Sequence, residues 1–243
     1  MKRALQALLP ALVLLTAATS AEAALGGPAG KEEVKTAMPI IEREYTVRVP
    51  VKSWSELKEK GVVRQRYDFS CGAASMATIM NFFYDQNVTE NGIVRSVLDM
   101  KGVGSDAHKL EKSDFALSFA DLADYGQTIG FRGVGVAMDI DALRKLRIPV
   151  IVYVKIRRFE HFTVFKGIQG DFVYLADPSF GNMKVKMAKF LEMFYQRDDL
   201  KHPGRVLAFI PLDKEKVQPD RSFMTVPEST DYLYQYIENR IDH

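Results

Sequence analysis

Cys71, the only cysteine of the 243-residue chain, stands at the start of an apolar run in Gln65-Arg-Tyr-Asp-Phe-Ser-Cys-Gly-Ala-Ala-Ser75. A cysteine reacts as thiolate, and the free N–H groups and positive dipole end of a helix N-terminus stabilise that anion. A thiol placed there points to covalent catalysis. Such an enzyme needs a base close to the sulfur, a third group to hold the base, and hydrogen-bond donors where the oxyanion forms. Gln65, six residues before Cys71, can curl its side-chain amide beside the sulfur and serve as an oxyanion donor together with the Cys71 N–H.

Four histidines are available as the base. His243 ends the chain, His202 sits in the polar loop Asp198–Pro203, and His108 lies in a charged loop. His161 opens the strand-like run His161-Phe-Thr-Val-Phe165, and a strand holds a side chain more rigidly than a loop. It is the candidate base. Asp177, in Leu175-Ala-Asp-Pro-Ser-Phe-Gly181, ends the run that returns from Gln169-Gly170 and is the candidate orienting carboxylate. Directly opposed residues bring their Cβ atoms to about 5 Å on one face of a sheet. Facing His161 with Asp177 requires a three-residue loop, Ile168–Gly170, with Gly170 at positive φ. A two-residue turn at Gln169-Gly170 would send the two side chains to opposite faces. Taken singly, each residue has an ordinary alternative: a small buried hydrophobe for Cys71, a half-exposed strand residue for His161, a turn for Asp177-Pro178. The ordered set is far more specific than any member.

These residues need elements to position them. Ser70 is a candidate N-cap for a helix Cys71–Tyr84, buried on most sides because polar residues are scarce before Asn81. Helices are also expected over Trp54–Lys60, Ile93–Asp99, Ser118–Ile129 (stopped by Gly130), Asp141–Leu146 (begun by Asp139 or Asp141), Met187–Phe194 and Ser229–Ile241. Residues 85–112, rich in Gly and charge, read as a mobile cover over a cleft. Strands are expected over Glu42–Val51 (an edge strand), Phe131–Met138, Pro149–Ile156, Phe162–Ile168, Phe172–Ala176 and Arg205–Ile210. Helices first and a mainly antiparallel sheet after them make an α+β fold, with a helix-borne nucleophile facing strand-borne partners.

Met1-Lys2-Arg3, the apolar run Ala4–Ala18 and Ser20-Ala21-Glu22-Ala23 have the order of a secretory signal peptide. The expected organisation is a signal peptide at 1–23, an N-terminal extension at 24–59, a catalytic domain at 60–212 and a helical C-terminal extension at 213–243. An exported chain points to the periplasm, where a single cysteine remains a free thiol because it has no partner within its chain. Gly26-Gly27-Pro28 reads as flexible lead rather than a self-processing site. The formal net charge of +2, with interspersed signs, speaks against a nucleic-acid partner, and no later apolar run is long enough for stable membrane insertion. One cysteine and scattered histidines give no zinc spacing, so no metal and no cofactor is expected.

The segments Gln65–Ser75, His161-Phe-Thr-Val-Phe-Lys-Gly-Ile168 and Val173-Tyr-Leu-Ala-Asp-Pro-Ser-Phe-Gly181 resemble those of the bacteriocin-processing cysteine peptidases, which trim leader peptides after double glycine. The resemblance spans about residues 60–212. It implies a papain-like fold, Cys71 as nucleophile, His161 as base and acid, Asp177 as orienting carboxylate and Gln65 as oxyanion donor. With its own signal peptide and without a phosphate-cradling Gly-rich loop, the chain is similar to the stand-alone periplasmic members, including those that accompany functional-amyloid export systems. A polypeptide substrate, an amyloid-system protein among the options, is implied. A silent client-binding module and a Cys-dependent acyltransferase are the rival readings.

Overall fold

The computed structural model describes Ala37–Ile41, Thr46–Pro50 and residues 53–102 and 117–225. The expected signal peptide and C-terminal helix lie outside the described residues. Contacts divide the chain into two units, the first ending at Val51. In the first, strands β1 (Ala37–Ile41) and β2 (Thr46–Pro50) form an antiparallel hairpin; β2 falls within the expected strand and β1 was not expected.

The second unit begins with the short helix α1 (Trp54–Glu59), started by a capping box between Ser53 and Glu56. Helix α2 (Cys71–Phe82) follows, and every residue from Cys71 to Met80 is buried. A helix of Ala, Ser, Thr and Met can be enclosed on all sides because its small side chains let neighbours approach and its hydroxyls find backbone partners. Thr78 Oγ1, for example, donates back to the Ala74 carbonyl at 2.8 Å. Ser70 occupies the N-cap position but makes no capping bond to the helix.

Helix α3 (Glu90–Met100) is capped by Thr89, and α4 (Phe119–Thr128) by Ser118 with Asp121 in a capping box. Ile93, Val94, Val97 and Leu98 of α3 are buried in the same core as α2. Within the segment expected as a mobile cover, helix α3 therefore anchors one face in the core as far as Leu98, because those apolar residues recur at helical spacing; residues 103–116 lie outside the described residues. Gly130 follows α4 at φ +84°, the left-handed turn that ends the helix. Then come β3 (Phe131–Met138), α5 (Ile140–Arg144, capped by Asp139), β4 (Val150–Ile156), β5 (Phe159–Gln169), β6 (Phe172–Asp177), β7 (Gly181–Lys186), α6 (Met187–Phe194) and β8 (Gly204–Pro211).

Strands β3 to β8 form one six-stranded sheet in the order β3-β8-β4-β5-β6-β7, and every neighbouring pair is antiparallel. The fold is α+β, as expected from the order of helices and strands. Ile151, Val164, Ala176 and Leu207 pack with α2, α3 and α4; Val150, Val152, Phe165, Leu175 and Val206 pack with Phe190 and Phe194 of α6. Both faces of the central strands are thus covered, which is why β4 reads as an unbroken apolar run. Strand β7 was not expected, since Gly181-Asn-Met-Lys-Val-Lys186 offers little β-branched or aromatic signal; it pairs with β6 along its whole length.

The β5–β6 hairpin corrects the expected register. Its turn has two residues, Gly170 and Asp171, with Gln169 facing Phe172 and Gly170 at φ +54°. The pairing then shifts by one residue between Phe165 and Gly167, leaving Lys166 as a bulge, after which Phe165 faces Leu175 and Val164 faces Ala176. Without the bulge His161 and Asp177 would fall on opposite faces; with it they share one. The required change of parity sits inside the strand and not in the loop. His161 is consequently one diagonal step from Asp177, not directly opposite it.

Candidate active site

Cys71 is a free, buried thiol at the first position of α2. Two contacts fix that end of the helix against β5. The Ser75 hydroxyl donates to the Phe162 carbonyl at 3.2 Å, and a Cβ on Gly72 would lie 3.0 Å from the Phe162 ring and 3.1 Å from Leu122. Phe162 is itself stacked on Phe119 of α4, with ring centroids 4.8 Å apart. The strand residue beside His161 is therefore the seat of the helix that carries Cys71.

His161 Nε2 lies 2.9 Å from Asp177 Oδ2. Diagonal neighbours in a sheet are about 7–8 Å apart, so the outer ring nitrogen is the one that spans the gap. With Nε2 engaged, Nδ1 is the nitrogen left for the Cys71 thiol, one of the groups whose interaction raises the pKa of the ring. Asp177 is 1% exposed, and its other oxygen, Oδ1, accepts the Ser179 and Phe180 N–H groups at 2.8 and 2.9 Å. The Asp-Pro-Ser-Phe turn thus orients the carboxylate that orients the imidazole.

The electrostatics follow from this burial and pairing. Burial pulls the His161 pKa down, but the hydrogen bonds and charges of Asp177 and Cys71 outweigh it and push it up to about 9. For Asp177 burial acts to raise the pKa, and the His161 bond and charge together with the two backbone N–H groups bring it below the ordinary carboxylate value. The favoured state is an imidazolium held between a carboxylate and the sulfur.

Gln65 runs alongside the Asp177 turn: its N–H donates to the Pro178 carbonyl at 3.0 Å, and Arg64 reaches the Ser179 carbonyl. Its side-chain Oε1 is buried without a hydrogen-bond partner. That unmet oxygen is an acceptor and costly to bury, whereas an oxyanion would call on the NH2 end of the same amide. The structure brings His161, Asp177 and Cys71 together and holds the Gln65 backbone against the loop that carries Asp177. His202 is elsewhere, exposed beside Asp199 at 3.3 Å, and His108 and His243 lie outside the described residues. Among the described residues no group of acidic, His and Cys side chains could hold a metal.

Two supports of the site carried no distinguishing signal in the sequence. Thr78 Oγ1 accepts the Val63 N–H at 2.9 Å, and Glu90 reaches the segment before Cys71. The first reads as an ordinary helix residue; the second reads as an acidic residue in a first turn.

The Peptidase C39 family matches residues 59–197, which contain all four residues. The chain is 36% identical over 141 residues to a protein of Pseudomonas fluorescens named "Probable functional amyloid protease FapD", covering 58% of this chain and 60% of that protein. It is 30% identical over 186 residues to the protein of the same name from Pseudomonas aeruginosa, covering 76% and 75%. Among solved structures it resembles a double glycine motif protease from an AMS/PCAT transporter, in complex with the leader peptide (26% identity, TM-score 0.46, 62% of this chain and 90% of that one). It also resembles the peptidase domain of Streptococcus ComA (18% identity, TM-score 0.47, 62% and 97%). On the extent of the family match and the aeruginosa likeness, the chain belongs to the Peptidase C39 family of cysteine peptidases.

Proposed function

We propose that this protein is a periplasmic endopeptidase that cleaves exported polypeptides, amyloid-system proteins among them, through Cys71, His161 and Asp177. The observation that carries the reading is His161 Nε2 bonded to Asp177 at 2.9 Å, with the Cys71 thiol among the groups that raise the pKa of the same ring. The names of its Pseudomonas relatives support an amyloid client, and the N-terminal apolar run supports export.

In this reading the Cys71 thiolate attacks the carbonyl carbon of the scissile bond. The Gln65 amide and the Cys71 N–H receive the developing oxyanion. His161 Nδ1 gives its proton to the departing amine, which leaves a thioester on Cys71. The now neutral imidazole takes a proton from water as the oxygen attacks the thioester, the acid product leaves, and the thiolate–imidazolium pair is restored. Asp177 keeps the ring in place and stabilises its charge throughout.

The test is mass spectrometry of exported polypeptides from cells carrying the natural protein or Cys71→Ala. Cleaved termini present with the first and absent with the second are expected; identical termini would refute the assignment. Gln65→Ala should lower kcat by about 10²- to 10³-fold, as loss of one oxyanion donor does elsewhere. Products formed mainly by transfer to an added amine rather than to water would identify an acyltransferase.

A further inference from the structure

Glu90 takes no part in the chemistry above, yet its carboxyl is buried in the protein at 4% exposure. Its Oε1 accepts the Arg66 N–H at 2.7 Å and the Ser70 hydroxyl. Arg66 directly follows Gln65, and Ser70 directly precedes Cys71. One oxygen, brought in by a different helix, therefore ties together both ends of the segment that separates the oxyanion donor from the nucleophile. Ser70, fully buried, adds an inner link, because its hydroxyl oxygen accepts the Tyr67 N–H at 3.2 Å. The Gln65 N–H to Pro178 bond braces the same segment from the other side.

We propose that Glu90 is a positioning residue that sets the separation between the Gln65 amide and the Cys71 sulfur. The inference rests on the assignment of Gln65 as oxyanion donor made above. A buried carboxyl is costly unless its oxygens are used, and here the use is to close a loop whose ends both carry reactive groups. Because it acts through those groups, it affects the step that builds an oxyanion and not the intrinsic reactivity of the sulfur.

Two reactions of the full chain separate these effects. Hydrolysis of the p-nitrophenyl ester of acetylglycine passes through an oxyanion, whereas alkylation of Cys71 by iodoacetamide does not. Glu90→Ala should lower kcat for the ester about 10- to 100-fold, the scale of a misplacement near 1 Å, with the alkylation rate unchanged. Glu90→Gln, whose amide oxygen can accept the same two bonds, should recover most of the turnover. Ser70→Ala removes one link while leaving the Arg66 bond, and should fall between the two; it decides the matter if Glu90→Ala does not fold. Wild-type ester turnover in Glu90→Ala, or parallel loss of alkylation and turnover, would overturn the inference. So would Glu90→Gln as impaired as Glu90→Ala. Gln65→Ala is the control: if it retains full turnover, the oxyanion assignment itself fails, whereas impaired Gln65→Ala beside active Glu90→Ala removes only the role given to Glu90.

Discussion

Burial on its own would make His161 a neutral side chain at pH 7, unable to protonate a departing amine. The Asp177 carboxylate and the Cys71 sulfur reverse that and push its pKa up to about 9. Turnover should therefore stay level through neutral pH and decline only as pH rises through about 9, where an ordinary histidine would already have lost its proton near 6.5. In Asp177→Asn the two backbone N–H groups claim the amide oxygen, so the NH2 faces Nε2, and both the charge and the acceptor that favour the imidazolium are lost. Its alkaline limb should move to lower pH, which a kcat/KM profile reads directly. An unchanged limb in that variant would mean that Asp177 places the ring without tuning it.

At the scale of elements, the site is a junction between the start of α2 and the start of β5, made through Phe162. A methyl group on Gly72 would sit 3.0 Å from that ring and 3.1 Å from Leu122, closer than ordinary contact. Gly72→Ala, in the first turn, gains less than the about 1 kcal/mol of helix propensity that an interior site would and loses about 1–3 kcal/mol to overpacking. Thermal stability should fall by a few degrees, while kcat falls by about tenfold because the helix end that carries the sulfur is pushed from the strand that carries His161. Melting temperature and ester turnover of the same sample check both halves. Much of this junction was legible in the chain: a run of small apolar residues after Ser70 marked the buried helix, and short Val-, Ile- and Phe-rich runs marked five of the sheet's six strands. The pairing of His161 with Asp177 was legible too, but not its register. A bulge at Lys166 leaves no mark in composition, because one charged residue in a strand reads as the outward position of an alternating pattern. Glu90 was hidden for a similar reason: its contacts are with backbone N–H and a hydroxyl brought close only by folding.

For the whole molecule, the His161–Asp177 pair links stability to pH with a sign that can be worked out. The His161 pKa is raised, so its contribution is present in full below 6.5, the unfolded value, and is lost as pH rises through about 9. Asp177 is lowered, so its contribution is present above 3.8, the ordinary value, and is lost as pH falls through the depressed folded value. The pair therefore contributes most between about pH 4 and pH 6.5. A single substitution would confuse this, since it leaves one buried charge without its partner and costs about 3–5 kcal/mol for that reason alone. The double variant His161→Gln/Asp177→Asn, made like its parent in a Cys71→Ala background so that no thiol titrates in either protein, removes both charges, and groups elsewhere titrate alike in the two. The sign of its melting-temperature difference at any one pH is not the readout, because a buried pair does not guarantee net stability. What is expected is the change with pH: the difference shifts in favour of the double variant as pH rises above 6.5 through the raised folded value of His161. A difference flat from pH 5 to pH 10 would show that the imidazole is not held as a cation in the folded protein, and the proton that the proposed cleavage gives to the leaving amine would have no source.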